Sequence, residues 1–182
     1  MKHILTTLAM LLSLSAFAQR SEILLEKNWK FHKGDVGNAQ AIGFDDSAWQ
    51  SVTVPHDWAI YGPFSRDNDL QYKAVIENGE TKATWKTGRT GGLPYEGVGW
   101  YRTTFDASKS GRTTLIFDGA MSEANVFVNG EKVIFWPYGY SSFHVDVTDH
   151  LTADGKNNEL AVRLENRPSS SRWYPGAGLY RN

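Results

Sequence analysis

The sequence predicts an all-β fold, a sandwich or jelly roll of antiparallel strands. Short runs rich in Val, Ile, Phe, Thr and Tyr recur along the chain, with turn residues between them. Several runs alternate apolar and polar positions, the period of a half-buried strand. No segment carries the spacing of a strong amphipathic helix. Regularly spaced strands without intervening helices favour a sandwich over βαβ units. In a sandwich, two sheets bury their alternating apolar faces against each other.

The first strand is Trp29 to Lys33, which alternates and stops at Gly34-Asp35. Asp45-Asp46-Ser47-Ala48-Trp49 reads as one capped helical turn feeding Gln50 to Val54, and Pro55 ends that strand. Trp100 to Phe105 alternates, then Ser108 to Gly111 turns the chain into Thr113 to Phe117. Asn125 to Val128 and Lys132 to Phe135 flank Asn129-Gly130, the strongest short hairpin signal available. Phe143, Val145 and Val147 alternate with His144 and Asp146, and Leu160, Val162 and Leu164 alternate with Ala161, Arg163 and Glu165. The stretch from about Ala59 to Gly97 is polar, Gly-rich and without clear period. A loop that long in a compact domain is functional or disordered.

Residues 1–18 read as a secretory signal peptide. Lys2 and His3 precede the mostly apolar Ile4 to Leu14, and Ala16-Phe17-Ala18 gives a cleavage site before Gln19. A secreted protein, periplasmic or extracellular, is therefore expected. No later run is apolar enough for a membrane span. Residues 19–182 amount to one domain. The formal net charge of −1 and the lack of a basic stripe argue against a nucleic-acid partner. The absence of cysteine excludes thiol catalysis and thiolate metal sites. The five histidines lack metal-ligand spacing, so neither a metal nor another cofactor is expected. Seven Trp and eight Tyr exceed what a core this size needs. Such rings combine an apolar face with a polar handle, which suits sugars as well as packing.

Three motifs carry a resemblance. They are Val54-Pro55-His56-Asp57-Trp58 with Phe44 to Trp49 before it, Gly97-Val98-Gly99-Trp100-Tyr101-Arg102, and Arg172-Trp173-Tyr174-Pro175-Gly176-Ala177-Gly178-Leu179-Tyr180-Arg181-Asn182. Phe117-Asp118-Gly119, Ala124 to Gly130 and Phe143 to Thr148 lie between them in the same order. From about Leu25 onward, the chain resembles the N-terminal domain of family 2 glycoside hydrolases, in its β-galactosidase-like form. That resemblance implies a galactose-binding-like jelly-roll β-sandwich, ending at or just before its last strand. It also implies an immunoglobulin-like domain and a catalytic TIM barrel as partners outside this chain. The family's two catalytic glutamates lie in that barrel, close together across the scissile bond as retention requires. Asn158-Glu159 resembles part of the acid/base motif, but it follows a turn at a strand's start and reads as structural.

The resemblance places sugar-contacting side chains in two segments, Ser65 to Gln71 and Arg172 to Pro175. Asp67, Asn68 and Asp69 are candidates to bond sugar hydroxyls, or else belong to a solvated loop. Arg172 is a candidate for the same work, with Trp173 or Tyr174 as a stacking face. Some family galactosidases carry an acidic residue near position 172, and its absence argues against a sodium site and strict galactose recognition. Asp57 and Trp58 read as loop anchors, and Arg181 as an anchor through an ion pair or domain contact. Trp136, Tyr138 and Tyr140 are either a sugar platform or a surface against the missing barrel. Three functions remain open. One is a non-catalytic part of a hydrolase acting on β-linked glycans. The others are a free-standing carbohydrate-binding module and an interaction domain for a separately encoded barrel.

Overall fold

A computed structural model of the protein describes residues 20–181. The signal-peptide reading of residues 1–18 lies outside them. The strands are β1 (Trp29–Lys33), β2 (Gln50–Val52), β3 (Gln71–Lys73), β4 (Thr84–Lys86), β5 (Gly97–Phe105), β6 (Thr114–Phe117), β7 (Ala124–Val128), β8 (Glu131–Trp136), β9 (Phe143–Asp146) and β10 (Asn158–Asn166). Among the described residues the only helical pieces are two 3-10 turns, Ile76–Asn78 and Thr148–His150, and no helix is long and apolar enough to cross a membrane.

Six strands form the main sheet in the order β2-β1-β5-β10-β7-β8, while β6 pairs with β9 and β3 with β4. Every pair is antiparallel. Strand period decides which residues meet. Tyr101 and Phe105 of β5, Leu160, Val162 and Leu164 of β10, and Val126 and Val128 of β7 share one buried face. Leu115 and Phe117 of β6 and Phe143 and Val145 of β9 pack on it. Phe117 and Phe143 stack with centroids 4.8 Å apart, and Trp136 stacks on Phe143 at 5.5 Å. The β6–β9 pair is thus the second layer of the sandwich. The Asn129-Gly130 hairpin has positive φ at both residues, 48° and 82°, the requirement of a type I′ turn.

The opposite face of the main sheet is covered as well. Trp100, Ala161 and Ala39 form a second small core with Val36, Phe44, Trp49 and Phe127 around it. Residues between β1 and β2 therefore cap the sheet's outer side. Arg102 lies beneath that cap, its side chain only 5% exposed. Its guanidinium donates to Asp46 at 2.9 Å, to Glu159 at 2.6 Å and to the Ala39 carbonyl. The 45–49 segment is a hydrogen-bonded turn, with Ser47 N donating to Asp45 Oδ1 and Trp49 N to the Asp46 carbonyl. Asn158 is fully buried and donates to the carbonyls of Phe105 and Gly155. With Glu159 on Arg102, the Asn158-Glu159 pair is structural.

The Ala59–Gly97 stretch departs from the expectation of a plain loop. It holds the small β3–β4 sheet, with Gln71 opposite Lys86 and Tyr72 opposite Trp85. Strands of three residues are too short for an alternating pattern to register.

Candidate functional site

The C-terminal motif lies directly on the Val-Pro-His-Asp-Trp turn. His56 N donates to the Leu179 carbonyl at 2.7 Å and Trp58 N to the Ala177 carbonyl at 2.9 Å. Gly178 exchanges two backbone bonds with Met121, at 2.9 and 3.1 Å. Gly178 has φ +125°, and a Cβ there would meet the Tyr101 hydroxyl and stand 2.5 Å from the His56 carbonyl oxygen. Only glycine lets the tail approach this closely.

Asp57 holds the two segments together. Its Oδ1 accepts from Ala59 N at 2.9 Å and from the Tyr174 hydroxyl at 2.5 Å, and its Oδ2 accepts from Ala177 N at 3.1 Å. Burial, and then the bond to Asp57, push the Tyr174 phenol well above its ordinary value. It stays a donor at any physiological pH. Asp57→Asn keeps one acceptor but turns an amide N–H toward another donor. We expect a loss of about 2 kcal/mol, read as a lower thermal midpoint.

His56 sits beside Asp57, with Nδ1 2.7 Å from the Tyr101 hydroxyl and its ring 4.8 Å from that of Phe31. Burial lowers the His56 pKa against the opposing pull of Asp57. The unfolded chain therefore takes up the proton first as pH falls. The stabilising contribution is complete above the unfolded value of about 6.5 and is lost as pH descends through the lowered folded value. Urea midpoints measured from pH 7.5 to pH 5 should fall, and His56→Asn should flatten that part of the profile. Trp58 is buried and stacks on Phe31 at 5.8 Å. Arg181 is exposed, its guanidinium 5.3 Å from the Tyr180 ring.

This base lifts the preceding residues to the surface. Trp173 is 59% exposed and its Nε1 donates to the Tyr140 hydroxyl at 2.9 Å. Tyr138 and Tyr140 have centroids 5.6 Å apart. Tyr180 donates to the Gly139 carbonyl at 2.7 Å and so fixes the loop between them. Arg172 is exposed beside Trp173. The result is a cluster of three rings with hydroxyls, and the exposed Arg172 precedes it in the chain. Trp136, by contrast, packs against the core. The sequence singled out the 138–140 and 172–174 segments separately, and their meeting has no signature in the chain.

The Ser65–Gln71 loop divides its residues. Asp67 is exposed, with its N–H held by Ser65 Oγ at 3.1 Å. Asn68 donates to the Gly92 carbonyl at 2.7 Å, and its own carbonyl accepts from Thr87 Oγ1 at 2.7 Å. Asp69 is a correction to the expectation of a free hydroxyl ligand. Its side chain is fully buried, with both oxygens taken by Arg89 and with Thr90 bonded at 3.1 Å. A charge removed from water needs such a partner. Tyr95, just before β5, is fully buried with its ring edge-on to Tyr174 at 6.5 Å. Asn166 ties Tyr95 to the C-terminal motif by donating to the carbonyls of Tyr95 and Gly176.

A two-layer sandwich with an aromatic, hydroxyl-rich edge fits one class of domain, and residues 96–173 match the model of the glycosyl hydrolase 2 galactose-binding domain-like family. This chain carries the galactose-binding-like domain of family 2 glycosyl hydrolases. It is 38% identical over 174 residues to the β-galactosidase BoGH2A of Bacteroides ovatus, covering 93% of this chain and 18% of that protein. It is 37% identical over 167 residues to a putative β-glucuronidase of Formosa agariphila, covering 90% of this chain and 14% of that one. Among solved structures, a β-glycosidase from Bacteroides vulgatus superposes with a TM-score of 0.73 at 33% identity, over 88% of this chain and 19% of that one. The chain thus spans less than a fifth of these relatives' length.

Proposed function

We propose that this domain is the non-catalytic, sugar-contacting part of a secreted β-galactosidase-like glycoside hydrolase that cleaves β-linked glycans. Its partners are an immunoglobulin-like domain and a catalytic barrel carrying the two glutamates. The observation that carries the reading is the Tyr138–Tyr140–Trp173 cluster beside Arg172, exposed yet seated on the Asp57 anchor. Sugars bind where C–H faces meet rings and a few fixed polar groups take the hydroxyls. Here Trp173 and Tyr140 supply the faces, and Arg172 with Asp67 supplies donors and an acceptor. The domain then rims the pocket, while bond cleavage belongs to the barrel.

The test is steady-state kinetics on the longer gene product with β-galactosides. Trp173→Ala and Arg172→Ala should each raise KM about tenfold, the loss of one ring stack or one charged hydrogen bond, with kcat little changed. The 182-residue chain alone should show no turnover. An unchanged KM in both variants would remove the pocket-rim role.

A further inference from the structure

We propose that the β3–β4 arm is an accessory binding notch for a neutral β-linked oligosaccharide, gripping sugar units beyond the one at the Arg172–Tyr174 edge. The inference rests on the sugar-contacting role proposed above and extends it from a single unit to a chain.

Tyr72 and Trp85 lie directly opposite each other across the two strands. Their centroids are 5.3 Å apart and their planes are inclined by 54°. Neither ring is covered by the sandwich: Tyr72 is 64% and Trp85 66% exposed. Among the described residues the β3–β4 pair hydrogen-bonds to neither of the other sheets, and its two rings stand in solvent. Exposed rings that adjoin one another form the kind of apolar patch a binding surface presents.

The identity of the occupant follows from the chemistry of the face. By strand alternation, the ring-bearing face continues into Ala74 and Leu70 beside Tyr72 and into Ala83 and Thr87 beside Trp85. The two alanines leave one side of the ring pair open, and the 54° inclination of the rings gives that side an angled surface. Trp and Tyr each offer a flat apolar face with a polar tip, the combination a pyranose requires. The other face carries Gln71, Lys73, Thr84 and Lys86, all hydrogen-bonding groups.

The arm is also held still, as a sugar platform must be. A two-stranded hairpin alone is marginal in water. Here Lys86 bonds Glu80 at 2.8 Å, and Glu80 accepts from Val75 N at 2.9 Å. The buried Asp69–Arg89 pair clamps the arm's base, and Thr87 ties its returning strand to Asn68. Strand β3 begins two positions after Asp69. The arm is therefore continuous with the loop that carries Asp67, and a ligand seated at that loop has a rigid surface to run along.

Calorimetry decides the matter, with the 182-residue chain titrated by galactose and by β-linked galacto-oligosaccharides of two to six units. Affinity should rise with length in the wild type. Trp85→Ala should abolish that rise, weakening the longest ligand about tenfold, and Trp85→Phe should restore most of it. Both side chains are exposed, so the variants should keep the wild-type thermal midpoint, checked by circular dichroism. Affinity that does not depend on length, or is equal in wild type and Trp85→Ala, overturns the proposal. So does failure of every oligosaccharide to bind. So does self-association of the wild type that Trp85→Ala relieves, because the occupant is then a second copy. The pocket-rim role is judged separately by the Trp173→Ala KM. Failure of the arm is therefore distinguishable from failure of the pocket-rim role.

Discussion

Gly178→Ala should lower the thermal midpoint by about 6–12 °C, the equivalent of about 3 kcal/mol in a domain of this size. Two effects add. The backbone at φ +125° is one that L side chains rarely adopt. The new methyl would also collide with the Tyr101 hydroxyl and the His56 carbonyl. Neither obstacle yields easily. Tyr101 is fully buried in the main sheet, and His56 is bonded through its own N–H to Leu179. The tail must therefore lift, and the Tyr174–Asp57 bond and the seat of Trp173 go with it. The readouts are a melting curve and the Trp173 fluorescence, taken as the difference between each protein and its Trp173→Phe counterpart. A midpoint within about 2 °C of wild type would mean that the tail does not dock on the His56–Trp58 turn.

Arg102→Ala should cost about 3 kcal/mol, seen as a lower urea midpoint at unchanged slope. The side chain is almost wholly enclosed, and it neutralises both Asp46 and Glu159 while bonding carbonyls of the covering loop. Its loss leaves two partly buried carboxylates facing each other across an emptied space. Asp46 and Glu159 retain 28% and 22% side-chain exposure, so water can reach them, and the cost falls at the lower end for a buried pair. Arg102→Lys keeps the charge but not the planar fork that spans both acids. It should recover less than half of the loss. The loop between β1 and β2 should become the first segment to exchange its amide hydrogens in the alanine variant.

Much of the fold was legible because its strands follow period two. Trp29–Lys33 matches its expected bounds, the Asn129-Gly130 turn joins the hairpin it announces, and β10 buries the residues its alternation marks. Strand order was not legible, since pairing partners lie far apart in the chain and depend on the whole packing. The arm escaped notice because three residues cannot establish a period. Asp69 looked like a free ligand because its partner, Arg89, lies twenty positions away in a Gly-rich stretch without pattern. Asp57 was legible as an anchor from its place after Pro55, but its three donors come from two segments that only the fold unites. The aromatic edge was half visible: each segment stood out by composition, and their contact did not.

The central position of β10 carries a consequence for biogenesis. β5 and β7 share it as their partner, yet it is the last strand of the main sheet to leave the ribosome. Until residue 166 has emerged, the nascent chain holds two halves of a sheet that cannot join, with their apolar faces unprotected. Pairing over such separations is slow, and the interval favours chaperone capture or clumping of neighbouring chains.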